Sequence, residues 1–526
     1  MKRIILLTFF CCFLLNTVFA QNWDWGGPMD PVQEKFKVLH YELSLQIIPN
    51  TKSIQGKNLV TFEAAEKLDT LRLNLIDEYQ VEKVLMNGQE VSFVHQNDLL
   101  DILPIDCTCN SVEIFYGGVT PTALNPPWTG GFTWEIDLLE NHWMGLSSQG
   151  EGAKIFMPAL DHPSSEPTQG VDLFFTVEKP YFVAANGRLL EKIEEGDLVT
   201  YHWATDYPIN NYGINFTLGV FHEAHTLFRS ISGQDIMMQV FVLQEDRLKA
   251  EALLEILKVS TATHEKYFGA FPFPNDKIAV VETPYLGMEH QTINAYGNNF
   301  QFVPMGKVQY DWLLHHELGH EWFGNKMSVG DWADMWIHEG FTAFGDWLFY
   351  EEHGGSEAYF NQAASVIQSI PHAKPVVSPP NSTEEEAYHG EIYSKGAAVV
   401  HGLRGVLGDE VFFPMLKAFN NDERFTYQNQ VTTQDFIDFV NAYTSQDLSE
   451  FLNYYLKTTE IPEVNIKKKG KSGYLVSLKG IDFKIPVEIQ TSNGLEKISL
   501  GSKPIFIPSM SEVKVDPKGW LMLNHK

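Results

Sequence analysis

The sequence predicts a multidomain α+β protein, with an N-terminal antiparallel β domain, a mostly helical central domain and a small C-terminal β-sandwich. Three observations predict it. Leu39, Tyr41, Leu43, Leu45 and Ile47 alternate with His40, Glu42, Ser44 and Gln46, the period of a half-buried strand, and Leu71, Leu73 and Leu75 repeat it. From Asp246 the pattern lengthens into helical stretches, beginning DRLKAEALLEILKVSTATHEKYF and lasting to about Lys457. Near the end the alternation returns, with Phe483, Ile485, Val487 and Ile489 interleaved with Lys484, Pro486 and Glu488.

In the first domain, turn-formers such as Pro49-Asn50 and Asn87-Gly88 separate the strand runs, as expected of antiparallel sheets. In the second, Thr432-x-x-Asp435 reads as a capping box that opens a late helix. A chain of 526 residues that is 44% hydrophobic can build about two to four domains. Their expected bounds are 21–224, 225–457 and 458–526.

Residues 1–20 are set apart. Lys2 and Arg3, the apolar run Ile4 to Leu15 and the small residues around Ala20 have the order of a cleaved secretory signal. That run falls short of the roughly 20 residues that span a bilayer, and no later segment has the length or apolarity to do so. The expectation is an exported protein, periplasmic or extracellular, with no membrane span once the signal is cut. Removing Lys2 and Arg3 from a chain of net charge −29 leaves −31. Such a surface repels phosphate backbones and excludes nucleic acid as a partner. Of four cysteines, Cys107 and Cys109 remain, one residue apart, which makes no disulfide framework, so the fold must be held by its core. Asn215-Phe216-Thr217 and Asn381-Ser382-Thr383 match the glycosylation pattern.

The densest chemistry lies in the stretch DWLLHHELGHEWFGNKMSVGDWADMWIHEGFTAF, from Asp311 to Phe344. It reads as two helices joined by a turn at Gly324 and Asn325, with a second start signalled by Gly330 and Asp331. His316 and His320 are four residues apart, so at about 100° per residue they share a helix face and can chelate a metal. Glu317 is turned about a quarter of the way round, close enough to reach a ligand of that metal without being one. This His-Glu-x-x-His pattern is a zinc-protease motif. Nineteen residues after His320, Glu339 offers a third ligand and leaves one coordination position open. His315 and His338 are read as bystanders, and the five tryptophans from Trp312 to Trp347 as packing.

With Glu339 in the context Trp336-Ile337-His338-Glu339-Gly340-Phe341, the stretch resembles the aminopeptidase N and leukotriene hydrolase family of zinc metallopeptidases. The resemblance implies a thermolysin-like central domain holding one Zn2+ per chain on His316, His320 and Glu339. Further segments match. The loop Ser147 to Ala153, followed by Met157 to Pro163, is similar to a family element that holds the substrate's free amino group, a role that maps onto Gln149 and Glu151. Gly287-Met288-Glu289 resembles the family's Gly-x-Met-Glu-Asn segment and makes Glu289 the amine-binding carboxylate, with Gly287 and Met288 beside the substrate. Here Leu286 stands where the first glycine is expected and His290 replaces the asparagine, departures that bear on how closely the backbone meets substrate and on side-chain preference or pH dependence. Ile392 to Ala397 resembles the family's Tyr-x-Lys-Gly-Ala segment, which makes Tyr393 the donor to a growing oxyanion, with Tyr388 as the fallback.

The function implied is a zinc-dependent aminopeptidase acting on peptides with a free N-terminus, Glu317 serving as general base and returning the proton to the leaving amine. Three alternatives share the site: an endopeptidase lacking the amine anchor, an epoxide hydrolase, and a catalytically inactive peptide-binding protein. The larger relatives continue into a helical domain that walls in the active site. Here the sequence stops at Lys526, so the expectation is a more open cleft, or one closed by a second subunit in a homo-oligomer.

Overall fold

The computed structural model describes residues 23–103 and 110–525; the expected signal at 1–20 and the pair Cys107 and Cys109 lie outside the described residues. The first part is built of strands. Phe36–Ile48, the strand that carries the alternation seen in the sequence, sits inside an eight-stranded sheet, between Val171–Glu178 and Ser53–Ala64. Its pairing with Val171–Glu178 is parallel, Tyr41 opposite Val171, in an otherwise antiparallel sheet. A second sheet orders Phe182–Ala185, Phe216–Gly219, His142–Ser147 and Gly131–Ile136. Tyr41, Leu43, Leu45 and Ile47 are buried in the core these sheets share with Leu71, Leu73 and Leu75, as period-two burial requires. Asn215 is buried, and its side chain donates to the Leu146 carbonyl at 2.8 Å, so this glycosylation match is occupied by structure.

The central part opens on a sheet of five strands, in the order Phe221–Arg229, Asp235–Leu243, Ile278–Glu282, Asn294–Tyr296 and Gly287–Met288. Phe216–Gly219, the last strand of the β sheets in the first part, is followed at Phe221 by the first strand of this one. The strands between 278 and 310 interrupt a stretch expected to be helical. Ile278–Glu282 is short and buried along its whole length, so it shows no alternation by which to find it.

Helix α1 (Ala250–Phe268) lies between Asp235–Leu243 and Ile278–Glu282, and after the strands come α2 (Trp312–Gly319), α3 (Trp336–Phe349), α4 (Ser356–Ser369), α5 (Glu384–Ala387), α6 (Gly390–Leu407), α7 (Asp409–Asn420), α8 (Thr433–Thr444) and α9 (Ser449–Lys457). Asp311 caps α2, its Oδ1 accepting from the Leu313 and Leu314 amides at 3.1 Å. Asp331 opens the turn before α3 in the same way, and Thr432 and Asp435 form the capping box of α8. The helices α3 and α6 cross through two glycines. A Cβ on Gly340 would lie 3.0 Å from the Cα of Gly396, so a side chain at either position would push the two helices apart by a few tenths of an ångström.

The C-terminal strands form two sheets, one of Ile505–Pro508, Gly473–Lys479, Glu463–Lys469 and Asn524–His525, the other of Gly494–Leu500, Ile485–Thr491 and Lys514–Val515. They share one continuous apolar core with the helices rather than a core of their own. Lys497 Nζ donates to the Gly405 and Val406 carbonyls at 2.7 and 3.0 Å, fastening this part to the end of α6.

Candidate active site

The cavity that concerns function, about 190 Å3, opens between the β domain and the helices. On its floor His316, from α2, and His320, at the C-terminal end of that helix, lie with their Nε2 atoms 3.3 Å apart. Glu339 Oε2, from α3, is 3.6 Å from His316 Nε2 and 3.3 Å from His320 Nε2. Ligands about 2.05 Å from a tetrahedral zinc are about 3.3 Å from one another, so the three atoms make one face of such a site. The buried Glu339 Oε2 has no hydrogen-bond partner of its own, as an atom reserved for a cation should be. His320 Nδ1 donates to the Phe323 carbonyl at 3.0 Å and His316 Nδ1 to Asp346 Oδ2 at 2.9 Å, which fixes both tautomers with Nε2 unprotonated and facing the cation position. Asp346 was missed in the sequence, although it lies seven residues beyond Glu339, two turns along the same face of α3.

Glu317 lines the cavity beside the triad, and burial pushes its carboxyl up to about 8. Gly287 lies against it: a Cβ there would come within 2.9 Å of Glu317 Oε1 and 2.6 Å of the Leu313 side chain. Gly287–Met288 is an edge strand, paired to Asn294–Tyr296 on one side and turned to the cavity on the other. Glu289 follows it. Gln149 Nε2 donates to Glu289 Oε1 at 2.7 Å and the Tyr212 hydroxyl donates to the same oxygen at 3.2 Å, so Oε2 is left for another donor. Burial raises this carboxyl too. The backbone of the segment is held by Asn325, whose Nδ2 donates to the Glu289 carbonyl at 3.0 Å, and by Glu321, which accepts from the Thr292 amide at 2.8 Å. Tyr212, Glu321 and Asn325 carried no recognisable signal, because each acts through a partner distant in sequence.

Tyr393 and Tyr388 both line the cavity and their hydroxyls hydrogen-bond to each other. Burial raises both hydroxyls well above their ordinary pKa, so Tyr393 is a neutral donor. The glycine crossing of α3 and α6 sets it over the triad, its ring stacked 6.0 Å from that of His316.

Some expectations need correction. Glu151 is not in the cavity wall. Its Oε1 accepts from the Gly130 amide at 2.6 Å beneath the loop, and burial raises the carboxyl to about 7, so Gln149 alone of that pair reaches Glu289. His290 points away from the cavity as well: its Nε2 accepts from Asn215 Nδ2 at 3.0 Å, and burial lowers its pKa to about 3. It therefore has no route to side-chain preference or to pH dependence near neutrality. Leu286, the other departure, does line the cavity. Among the tryptophans, Trp312 is 48% exposed and lines the cavity mouth, while Trp322, Trp332, Trp336 and Trp347 are buried as expected. His315 and His338 are buried bystanders, His315 stacked 4.0 Å from His264 and His338 accepting from the Val329 amide. Trp128 and Glu384 complete the wall, and no sequence signal marked them.

Residues 252–455 match the family model described as the peptidase family M1 domain. The chain is 23% identical over 421 residues to a leucyl aminopeptidase of Saccharolobus solfataricus, covering 75% of this chain and 50% of that protein. It is 23% identical over 526 residues to an aminopeptidase N of Lactococcus lactis, covering 93% of this chain and 60% of that one. It thus spans between half and two thirds of the length of these relatives. Among solved structures, a mutant M1 zinc metallopeptidase of Deinococcus radiodurans bound to a Tyr-Ser-Ala substrate superposes with a TM-score of 0.69 at 22% identity, covering 83% of this chain and 96% of that one. Residues 252–455, which include α2 and α3, thus carry a peptidase family M1 domain, and the fold is shared with an M1 zinc metallopeptidase over 83% of this chain.

Proposed function

We propose that the protein is a zinc-dependent aminopeptidase that releases the first residue of peptides with a free N-terminus. The observation that carries this reading is Glu289, buried at one end of the cavity with one carboxylate oxygen held by Gln149 and Tyr212 and the other left over. A carboxylate so placed pairs with an ammonium group by a charge-assisted hydrogen bond, strong in a site with little water. Binding the terminal amine there puts the first peptide bond, and no later one, over His316, His320 and Glu339.

His316, His320 and Glu339 would hold the zinc, which would supply a Lewis acid for the scissile carbonyl and lower the pKa of a bound water, to about 7 in such sites. Glu317 takes the water's proton as it attacks the carbonyl carbon and returns one to the departing amine. The Tyr393 hydroxyl donates to the carbonyl oxygen as negative charge grows on it. Asp346 and the Phe323 carbonyl keep the two imidazoles oriented, and the edge strand Gly287–Met288 offers its backbone to the substrate chain.

Supporting evidence for this reading is the aminopeptidase names of the relatives and the peptide bound to the Deinococcus radiodurans enzyme. The test is hydrolysis of aminoacyl arylamides and their N-acetylated forms by wild type, Glu317→Ala and Glu289→Ala, before and after chelation. The expected result is cleavage of the free-amine substrates alone, abolished by Glu317→Ala and by chelator. Equal cleavage of blocked substrates would point to an endopeptidase. We further propose export, on the strength of the leader-like residues 1–20; N-terminal mass analysis of the mature protein tests it.

A further inference from the structure

We propose that Glu384 selects substrates whose first residue carries a cationic side chain, arginine or lysine; this rests on the aminopeptidase reading above. Glu384 is in the cavity wall at the end where the amine is held. Its carboxyl carbon lies 3.6 Å from the position a Cβ would take on Gly150, and Gly150 adjoins Gln149, the residue hydrogen-bonded to Glu289. With the ammonium on Glu289 and the first carbonyl over the triad, the part of the substrate that extends toward Glu384 is the first residue's own side chain.

The site has the chemistry for a cation. Among the described residues no lysine or arginine forms an ion pair with Glu384, and its carboxylate accepts none of the described hydrogen bonds. Burial, with the negative charges of Asp24 and Glu385 nearby, raises its carboxyl to about 7, a shift that a cationic side chain seated beside it would reverse. Trp128, 52% exposed on the same wall, offers an indole to the alkyl stem or the charge of a long basic side chain.

The backbone that carries this carboxylate is fixed in place. The Glu384 amide donates to the Trp25 carbonyl at 2.9 Å and the Gly27 amide to the Ser382 carbonyl at 3.1 Å, so residues 25–27 strap the segment that carries Glu384. Trp25 is in turn buried against Tyr212 and Trp332. A charge on an anchored backbone discriminates between ligands more sharply than one on a free loop, because less ordering is left to do when the ligand binds.

The test compares arginine amide with citrulline amide, which match in shape and differ in charge. Their binding to the zinc-loaded Glu317→Ala protein is measured by calorimetry, and wild type is assayed on the arginyl and citrullyl arylamides. Arginine should be favoured at least ten-fold in both, and Glu384→Gln should bring the ratio to within about two-fold of unity, while Glu384→Asp, which keeps the charge, retains part of it. The ratio is internal to each preparation, so a partly folded variant does not distort it. A wild-type ratio near one, or a ratio that Glu384→Gln leaves unchanged, overturns the proposal. Leucyl arylamide separates the two levels. If wild type cuts it, with a requirement for the free amine, but shows no arginine preference, the specificity proposal alone is wrong. If no free-amine substrate is cut, the aminopeptidase reading falls and takes this one with it.

Discussion

Gln149 Nε2 donates to Glu289 Oε1 at 2.7 Å across the junction between the β domain and the central domain. A residue 140 positions earlier in the chain thereby sets the orientation of the carboxylate proposed to hold the substrate's amine. Gln149→Ala should raise KM for free-amine arylamides about ten-fold, the effect of losing a hydrogen bond to a charged group worth roughly 1.5 kcal/mol. Tyr212→Phe, which removes the longer bond to the same oxygen, should move KM in the same direction by less. Steady-state kinetics decide it, and unchanged KM in both variants would show that Glu289 needs no such support.

Asp346 holds His316 through Nδ1 from the far side of the triad. Asp346→Ala should weaken zinc binding by about 10- to 100-fold, the usual cost of losing an outer partner of a liganding histidine. Competition against a chelator of known affinity measures this directly. Full activity at saturating zinc together with wild-type affinity would mean that the helix alone orients the ring.

The Gly340–Gly396 crossing makes a prediction that a purely chemical view of the site does not. Adding a methyl at Gly396 pushes α6 off α3 by a few tenths of an ångström and carries Tyr393 with it. Tyr393→Phe should lower kcat about 10²- to 10³-fold by removing an oxyanion donor. Gly396→Ala should lower it by a smaller factor with KM little changed. In the double variant the two losses should fail to add, since both act through the same hydroxyl. Additive losses would place the effect of Gly396→Ala elsewhere.

On the β domain, His40 Nε2 lies 3.2 Å from Asp172 Oδ2, and His202 Nε2 lies 2.5 Å from Asp172 Oδ1. The hydrogen bond from His40 holds Asp172 below its ordinary value. Burial opposes charge on His40, but the bond to Asp172 and its negative charge prevail and raise the ring's pKa. For the depressed Asp172, the stabilisation is complete above its unfolded pKa of about 3.9 and is lost as pH falls through the folded value. For the raised His40 it is complete below about 6.5 and is lost as pH rises through its folded value. The difference in Tm between wild type and Asp172→Asn should therefore be largest between about pH 4 and 6.5 and shrink on either side. A difference constant from pH 4 to 9 would show that the group acts through packing alone.

The chemistry of the triad could be read in the sequence because it is local. His316, Glu317 and His320 sit within five residues, where helical geometry fixes which side chains share a face, and Glu339 follows in a motif of its own. The strand alternation of Phe36–Ile48 was legible for the same reason, since period and burial are properties of adjacent residues. Ile278–Glu282, buried on both faces, left no such trace.

The sequence alone, with the resemblance it carries, pointed to the candidate cation ligands, general base and tyrosine that the fold brings to one cavity, and to the division into strand-rich and helix-rich parts. Only the tertiary structure decided which of Gln149 and Glu151 reaches Glu289, that His290 turns away, that Asp346 supports His316, and that Trp128, Trp312 and Glu384 share the cavity wall. The physical reason is that these outcomes depend on how segments more than a hundred residues apart, in some cases, pack against one another. A two-residue difference within the Gln149 to Glu151 loop, which the sequence does not rank, becomes a difference of face only once that loop is pressed between the β domain and the metal-binding helices.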